Sequence, residues 1–248
     1  MLSKNKIKYL KSLQLKKYRL QERKFVVEGS KIVLELIEAS HELEAIYATK
    51  SWIENNKPAL EPMLSIVFDS TTPALKAISS LSSVSEVAAI VKMAPLGSTP
   101  ISKDAKLHLY LDGIRDPGNL GTLIRSAAWF GLSQIICSLD CVDFYNNKVL
   151  QASMGAFSHI ELISADNNQL TAALPEHKLI GASLGGTSLQ IFTKPDNMVL
   201  VIGNEGKGIS PALLSACHEE ITIARASSSK IESLNAAISG SILLSHLA

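Results

Sequence analysis

Cysteine is scarce in this chain: three in 248 residues, at Cys137, Cys141 and Cys217. An odd, sparse set cannot build a disulfide framework and fits a reducing compartment. Cys137 and Cys141 have no second pair at ligand spacing, and the six histidines are scattered, so no metal site is expected. No run approaches 18 apolar residues, which argues against a membrane-spanning helix. The basic N-terminal segment is followed by no apolar stretch of a secretion signal. A soluble, cytoplasmic protein is expected. An excess of one charge is lacking too: the formal net charge is +1, which names no partner. Internal repeats and low-complexity tracts are missing. No G-x-G-x-x-G follows a strand, and "GNEGKGIS" lacks the spacing of a Walker loop, so a dinucleotide or ATP site is unsupported.

What is there is a chain long enough for one large domain or two modest ones, with 46% hydrophobic and 19% charged residues, a balance that packs a core. Charge is unevenly placed. Residues 1–24 hold nine Lys and Arg against a single acid, Glu22. Such a segment suits phosphate contacts, or is a solvated helix face. Residues 3–20 read as one basic helix with Ile7, Leu10 and Leu13 as its apolar stripe. "KFVVEG", "LEAIYAT", "SIVFD" and "EVAAIVKM" read as strands, with a helix "SKIVLELIEA" capped by Ser30 and a short one opened before Pro73. These make a small α/β domain, residues 1–95. A Pro, Gly and Ser-containing linker, 96–106, follows. Beyond it "LHLYLDGI", "SQIICS", "KLIGAS" and "MVLVIGN" are nearly unbroken apolar runs, the mark of buried parallel strands. Helical stretches at 120–130 and 145–156 alternate with them, so a parallel sheet covered on both faces is expected over 107–248. The last helix, "SLNAAISGSILLSHLA", is apolar enough to be buried against the sheet or a second subunit.

Three loops stand where strands should end: "DPGNLGTLIR", "IGNEGKGIS" and "IARASSSKIESLN". Ligands of open α/β sheets gather at the carboxyl ends of strands, so all three loops can converge on one site. Singly, each reads as turn glycines and helix caps: Asn119 as an N-cap, Arg125 as a surface residue, Glu205 as a turn residue. "LGGTS" at 184–188 reads as a turn.

Taken together, the three loops carry a resemblance. Asn119, Gly121 and Arg125 follow an Asn-x-Gly-x-x-x-Arg pattern. Gly203, Glu205, Gly208, Ile209 and Ser210 follow Gly-x-Glu-x-x-Gly-hydrophobic-Ser. Ser233, Leu234 and Asn235 form a Ser-Leu-Asn signature. In this order they resemble the SpoU (TrmH) family of RNA ribose 2′-O-methyltransferases, in the SPOUT superfamily. "KVLQASMGA" at 148–156 is similar to the segment between the family's first two motifs, while Ala224 stands where the family has a Pro. The resemblance implies an α/β parallel-sheet domain with a C-terminal trefoil knot, preceded by a small α/β RNA-binding domain. It implies S-adenosylmethionine as cofactor, a homodimer, and RNA as partner, ribosomal RNA before transfer RNA. A non-catalytic RNA-binding assembly factor is the other reading. By the same resemblance Gly203, Ile223 and Leu234 line the cofactor site, with Asn204 and Ser183 beside them. Arg125, Asn119, Glu205, Asn235 and Ser233 form the catalytic set. A ribose hydroxyl needs its proton removed and the donor held in line. Arg125 either accepts that proton or clamps an RNA phosphate in two-point fashion. Asn119 orients Arg125 or the ribose, and Glu205 and Asn235 hold the loops. Trp129 and Phe130 belong to a subunit interface or to the core.

Overall fold

The computed structural model describes residues 2–81, 83–93 and 99–248. Residues 96–98 of the expected linker lie outside that set. Along the chain the elements are α1 (Lys4–Ser12), α2 (Lys16–Glu22), β1 (Lys24–Glu28), α3 (Ser30–Glu38), β2 (Leu43–Ala48), α4 (Lys50–Asn55), α5 (Lys57–Leu60), β3 (Val67–Asp69), α6 (Thr72–Ile78) and β4 (Val87–Lys92). Then come β5 (Leu107–Asp112), α7 (Pro117–Trp129), β6 (Gln134–Cys137), α8 (Asn147–Ser153), β7 (Glu161–Ser164), α9 (Asn167–Ala173), β8 (Lys178–Ser188), β9 (Met198–Gly203), α10 (Pro211–Ala216), β10 (Glu219–Thr222) and α11 (Ala236–Leu247). They fall into two compact units.

The first unit holds the described residues of Met1–Ser98 and, in addition, Tyr145–Ser158. Its four-stranded sheet runs β1-β4-β2-β3, antiparallel except for the parallel β2–β3 pair. Strand alternation decides what each face meets. Val26 joins Leu10, Leu13, Leu75 and Ile78 in the core under α1 and α6. Its neighbour Phe25 points to the other face, its ring tilted 34° against Tyr145 and edge-on to Phe157. Gln151 donates to the Glu28 carbonyl at 2.9 Å, and Asn147 to the Ser80 hydroxyl at 3.0 Å. The helix expected at 145–156 therefore forms as α8, but it covers the first sheet. Its apolar residues Val149 and Leu150 are buried, and the helix packs on β1.

Other local expectations are corrected. The basic helix breaks in two at Leu13–Leu15. Arg19 is buried there, and its guanidinium donates to the carbonyls of Leu13 at 3.0 Å and Gln14 at 2.6 Å, satisfying the end of α1. Ser30 begins α3 without capping it. The cap position is Gly29, because the Ser30 hydroxyl accepts the Trp52 indole N–H at 2.8 Å.

The second unit, Thr99–Phe144 with His159–Ala248, is the expected parallel-sheet α/β domain. Six strands run β10-β8-β9-β5-β6-β7, every pair parallel. One face is packed by Tyr110, Ile136, Val199 and Val201 under Leu170, Leu174 and Leu213. On the other, Gly240 of α11 lies so close to Leu123 of α7 that a Cβ would sit 2.5 Å from its methyl. "LGGTS" is strand, not turn. It belongs to the long β8, whose ladder with β10 jumps from Gly181 to Thr187. Gly186 permits this, since a Cβ there would meet the Glu220 and Ile221 backbone at 2.5 Å. From β5 the chain lays strands outward to β7, then returns on the other side of β5 to β8 and β9. The order reverses between β5 and β9, whose last residues Asp112 and Gly203 are register partners. A crevice is expected at such a reversal.

Candidate active site

Two strand ends and one helix start build the site. After β5 the chain turns at Gly113, φ +68°, and enters α7 behind Asp116, whose carboxylate accepts the Asn119 N–H at 2.9 Å. Asp116, not Asn119, is thus the cap. Asn119 sits inside the first turn, buried, with its side chain free to point at the loop after β9. That loop leaves Gly203 so tightly that a Cβ there would lie 2.1 Å from the Ile209 N–H. It is closed by a pair of 2.9 Å backbone bonds between Asn204 and Gly208. Asn204 fixes it further: its amide oxygen accepts the N–H groups of Gly206 and Lys207 at 3.0 and 3.1 Å, and its nitrogen donates to the Gly113 carbonyl at 2.7 Å.

Glu205 stands at the centre. Its carboxylate accepts from the Asn119 amide at 3.0 Å, the Asp116 N–H at 3.2 Å, the Arg115 N–H at 3.4 Å and the Asn204 amide at 3.3 Å. Partial burial acts to raise its pKa. The hydrogen bonds, led by Asn119, outweigh that and hold it below the usual carboxylate range. Asn119 in turn accepts from the Asn235 amide at 2.8 Å. Asn235 caps α11, its oxygen taking the N–H groups of Ala237 and Ile238 at 2.9 and 3.2 Å. That cap settles which way each amide faces: Asn235 donates to Asn119, and Asn119 donates to Glu205. Three distant segments are tied by one directed chain.

Beside this chain lies a cavity of about 720 Å³. Gly203, Asn204, Ile223, Leu234 and Ser183 all line it, as do Glu205 and Ser233. Ala182, Ser183 and Leu184 reach it through the bulge of β8. The Ser183 hydroxyl is buried with no hydrogen-bond partner among the described residues. The segment carrying Ala224 folds over the cavity and is hooked by Arg225, which donates to the Ile231 carbonyl at 2.9 Å. Arg125 is apart from these groups. It is exposed on α7, has no hydrogen-bond or ion-pair partner among the described residues, and shares one helix stripe with Thr122 and Trp129. Trp129 is 84% exposed, which removes the core reading for it.

Sequence reasoning overlooked Asp116, Asp112 and Arg225. Asp112 accepts the Ser210 N–H at 2.6 Å and so locks the start of α10 to β5. A lone carboxylate ending an apolar strand was the available signal. Arg225 left none.

Comparison with known proteins places the chain. The sequence model of the SpoU rRNA Methylase family matches residues 106–245, and that of the MRM3-like substrate binding domain matches 4–89. The chain is 29% identical to the 23S rRNA (guanosine(2553)-2′-O)-methyltransferase RlmP of Bacillus subtilis, across 98% of this chain and 95% of that protein. A protein assigned to the TrmH family of RNA methyltransferases, from Porphyromonas gingivalis, superposes with a TM-score of 0.89 at 33% identity, covering 99% of this chain and 98% of that one. An AdoMet-bound rRNA methyltransferase structure from Sinorhizobium meliloti shares the fold, with a TM-score of 0.86 at 24% identity over 99% and 95% of the two chains.

Proposed function

The chain belongs to the SpoU rRNA Methylase family, and from that premise we propose that it transfers a methyl group from S-adenosylmethionine to the ribose 2′-hydroxyl of ribosomal RNA. The observation that carries this reading is the cavity beside the Asn235–Asn119–Glu205 chain, built at the β5–β9 reversal. The cavity fits the cofactor: it is large enough for a nucleoside, Gly203 brings backbone to its wall, and Ile223 and Leu234 add apolar surface. The unpartnered Ser183 hydroxyl offers a polar contact. Bound there, S-adenosylmethionine supplies an electrophilic methyl group on a sulfonium. The protein's own residues orient and bind. Glu205 has both carboxylate oxygens engaged, so it is a positioning residue that fastens the cavity loop to α7. Asn119 and Asn235 extend that fastening to α11. Arg125, exposed and unpartnered, supports the clamp role: a guanidinium gripping an RNA phosphate so that the 2′-oxygen is held in line. The segment from Ile223 to Asn235, passing over the cavity before α11, is the part of the knot that the family resemblance implies. We also assign a homodimer that covers Trp129 at the end of α7 and leaves Arg125 open to RNA. We place this activity in the cytoplasm, in keeping with three sparse, unpaired cysteines.

The test is methyl transfer from labelled S-adenosylmethionine to ribosomal RNA from cells lacking this protein, read by mapping 2′-O-methyl positions. A new methylated ribose is expected, and RNA binding without transfer would overturn the enzyme reading. Arg125→Ala is expected to lower kcat/KM by about 100-fold or more while cofactor affinity stays within about twofold.

A further inference from the structure

The nine cations of residues 1–24 do not form one basic face. Three are used structurally. Arg19 is buried at the end of α1, and Lys6 and Lys24 both reach Glu44, at 3.9 and 2.5 Å. Lys4, Lys8, Lys11 and Lys16 are exposed and have no carboxylate in ion-pair range among the described residues. Lys4, Lys8 and Lys11 stand at i, i+4 and i+7 of α1, about 6 and 4.5 Å apart along its axis, on the side away from Leu10 and Leu13. Lys16 and Lys17 open α2, where Tyr18 is exposed and Lys17 lies 5.9 Å from its ring centroid.

This arrangement is unfavourable for the helices themselves. Like charges at i, i+4 repel, and α1 contains no acidic residue at all. Lys4 and Lys16 lie in the first turns of their helices, the positive end of the dipole, and α2 has its only acid in the last turn, while Lys11 in the last turn of α1 is the one favourably placed lysine. Folding alone does not account for the whole pattern. A polyanion does: released counterions and phosphate contacts repay the repulsion, and an exposed Tyr among lysines offers a stacking face for an unpaired base.

We propose that the Lys4–Lys8–Lys11 stripe, continued by Lys16, Lys17 and Tyr18, is the surface of the first unit that holds the RNA sugar-phosphate backbone. This rests on the reading of the protein as an RNA methyltransferase.

The experiment uses the full chain, a fluorescently labelled 23S rRNA transcript, and anisotropy across a salt series. The triple variant Lys4→Gln, Lys8→Gln, Lys11→Gln is compared with a charge-matched control, Lys31→Gln, Lys57→Gln, Lys76→Gln. Only the stripe variant is expected to weaken binding, about tenfold or more at 0.15 M salt, and to reduce the slope of log K against log salt by about 2 to 3. Its Tm should be unchanged or raised, because intrahelical repulsion is removed. Equal RNA affinity for the two variants overturns the proposal. So does lysine-dependent binding of a polyglutamate peptide with RNA binding unaffected, which would mark an acidic protein partner. Methyl transfer is measured in parallel. A wild-type protein that binds RNA through the stripe yet transfers no methyl group refutes the enzyme reading and leaves this surface standing. Unchanged transfer and affinity in the stripe variant do the reverse.

Discussion

Among single residues the directed amide chain is the most demanding feature. Asn119 must accept from Asn235 and donate to Glu205, and its amide does both from two separate atoms. Asn119→Asp keeps the shape but sets a second carboxylate about 3 Å from Glu205. Loss of about 100-fold in kcat/KM is expected. Adding Glu205→Gln, which restores a donor, should recover about tenfold of it. Steady-state kinetics on these two variants and the wild type measure this. A second residue acts on stability. His108 is buried, its Nε2 without a partner among the described residues, edge-on to His177. Burial, then the neighbouring His177, pulls its pKa from 6.5 to about 4. The folded state thus refuses a proton that the unfolded chain accepts. Stability is full above the unfolded value and drains as pH falls from about 6.5 toward 4, by up to about 3 kcal/mol. Melting curves between pH 7 and 5 should show the slope, and His108→Leu should flatten it.

At the scale of elements, the site depends on backbones that approach too closely for a side chain. The end of β9 is the sharpest case. Gly203→Ala would drive a Cβ to within 2.1 Å of the Ile209 N–H, so the loop carrying Asn204 and Glu205 must move. Cofactor affinity is expected to fall at least about 100-fold by calorimetry, with the Tm lowered by several degrees. A merely flexible loop would tolerate the change. The bulge of β8 works the same way. Gly186 lets the strand leave its ladder, and the residues released, Ala182 to Leu184, become cavity wall. Read from sequence, "LGGTS" offered only turn residues, because the pairing that makes a bulge lies 34 residues away at Glu220.

At the scale of the molecule, the exposed Trp129 of α7 is where the proposed homodimer can be tested. An exposed Trp beside an apolar helix α11, with Ile238 half exposed, is the kind of surface a second copy buries. Trp129→Glu is expected to yield monomers in sedimentation equilibrium and to cost most of the transfer activity, while the wild type sediments as a dimer. A monomeric wild type would remove the dimer from the account. The chain also divides its labour discontinuously. Tyr145–Ser158 lies in sequence between strands of the second sheet yet completes the first.

The sequence alone determined the parallel α/β domain, four of its six strands, and the residues of the three loops. Buried strands and close-packed turns demand particular residue types, apolar runs and glycines, so they leave a local record. Gly203, Ile223 and Leu234, which line the cavity, were singled out through the family resemblance of their loops. Tertiary structure alone decided that Asp116 rather than Asn119 caps α7, that Glu205 is held by Arg115, Asp116 and Asn119 from the start of α7, and that Arg19 is a structural cation while Lys4, Lys8 and Lys11 are not. It alone decided that 145–158 serves the first sheet. The Glu205–Asn119 and Gln151–Glu28 contacts span 86 and 123 residues of chain, and no local propensity carries that information. The Asp116 cap and the Arg19 bonds are local, but several nearby polar groups could have made them, and the folded backbone selects which does.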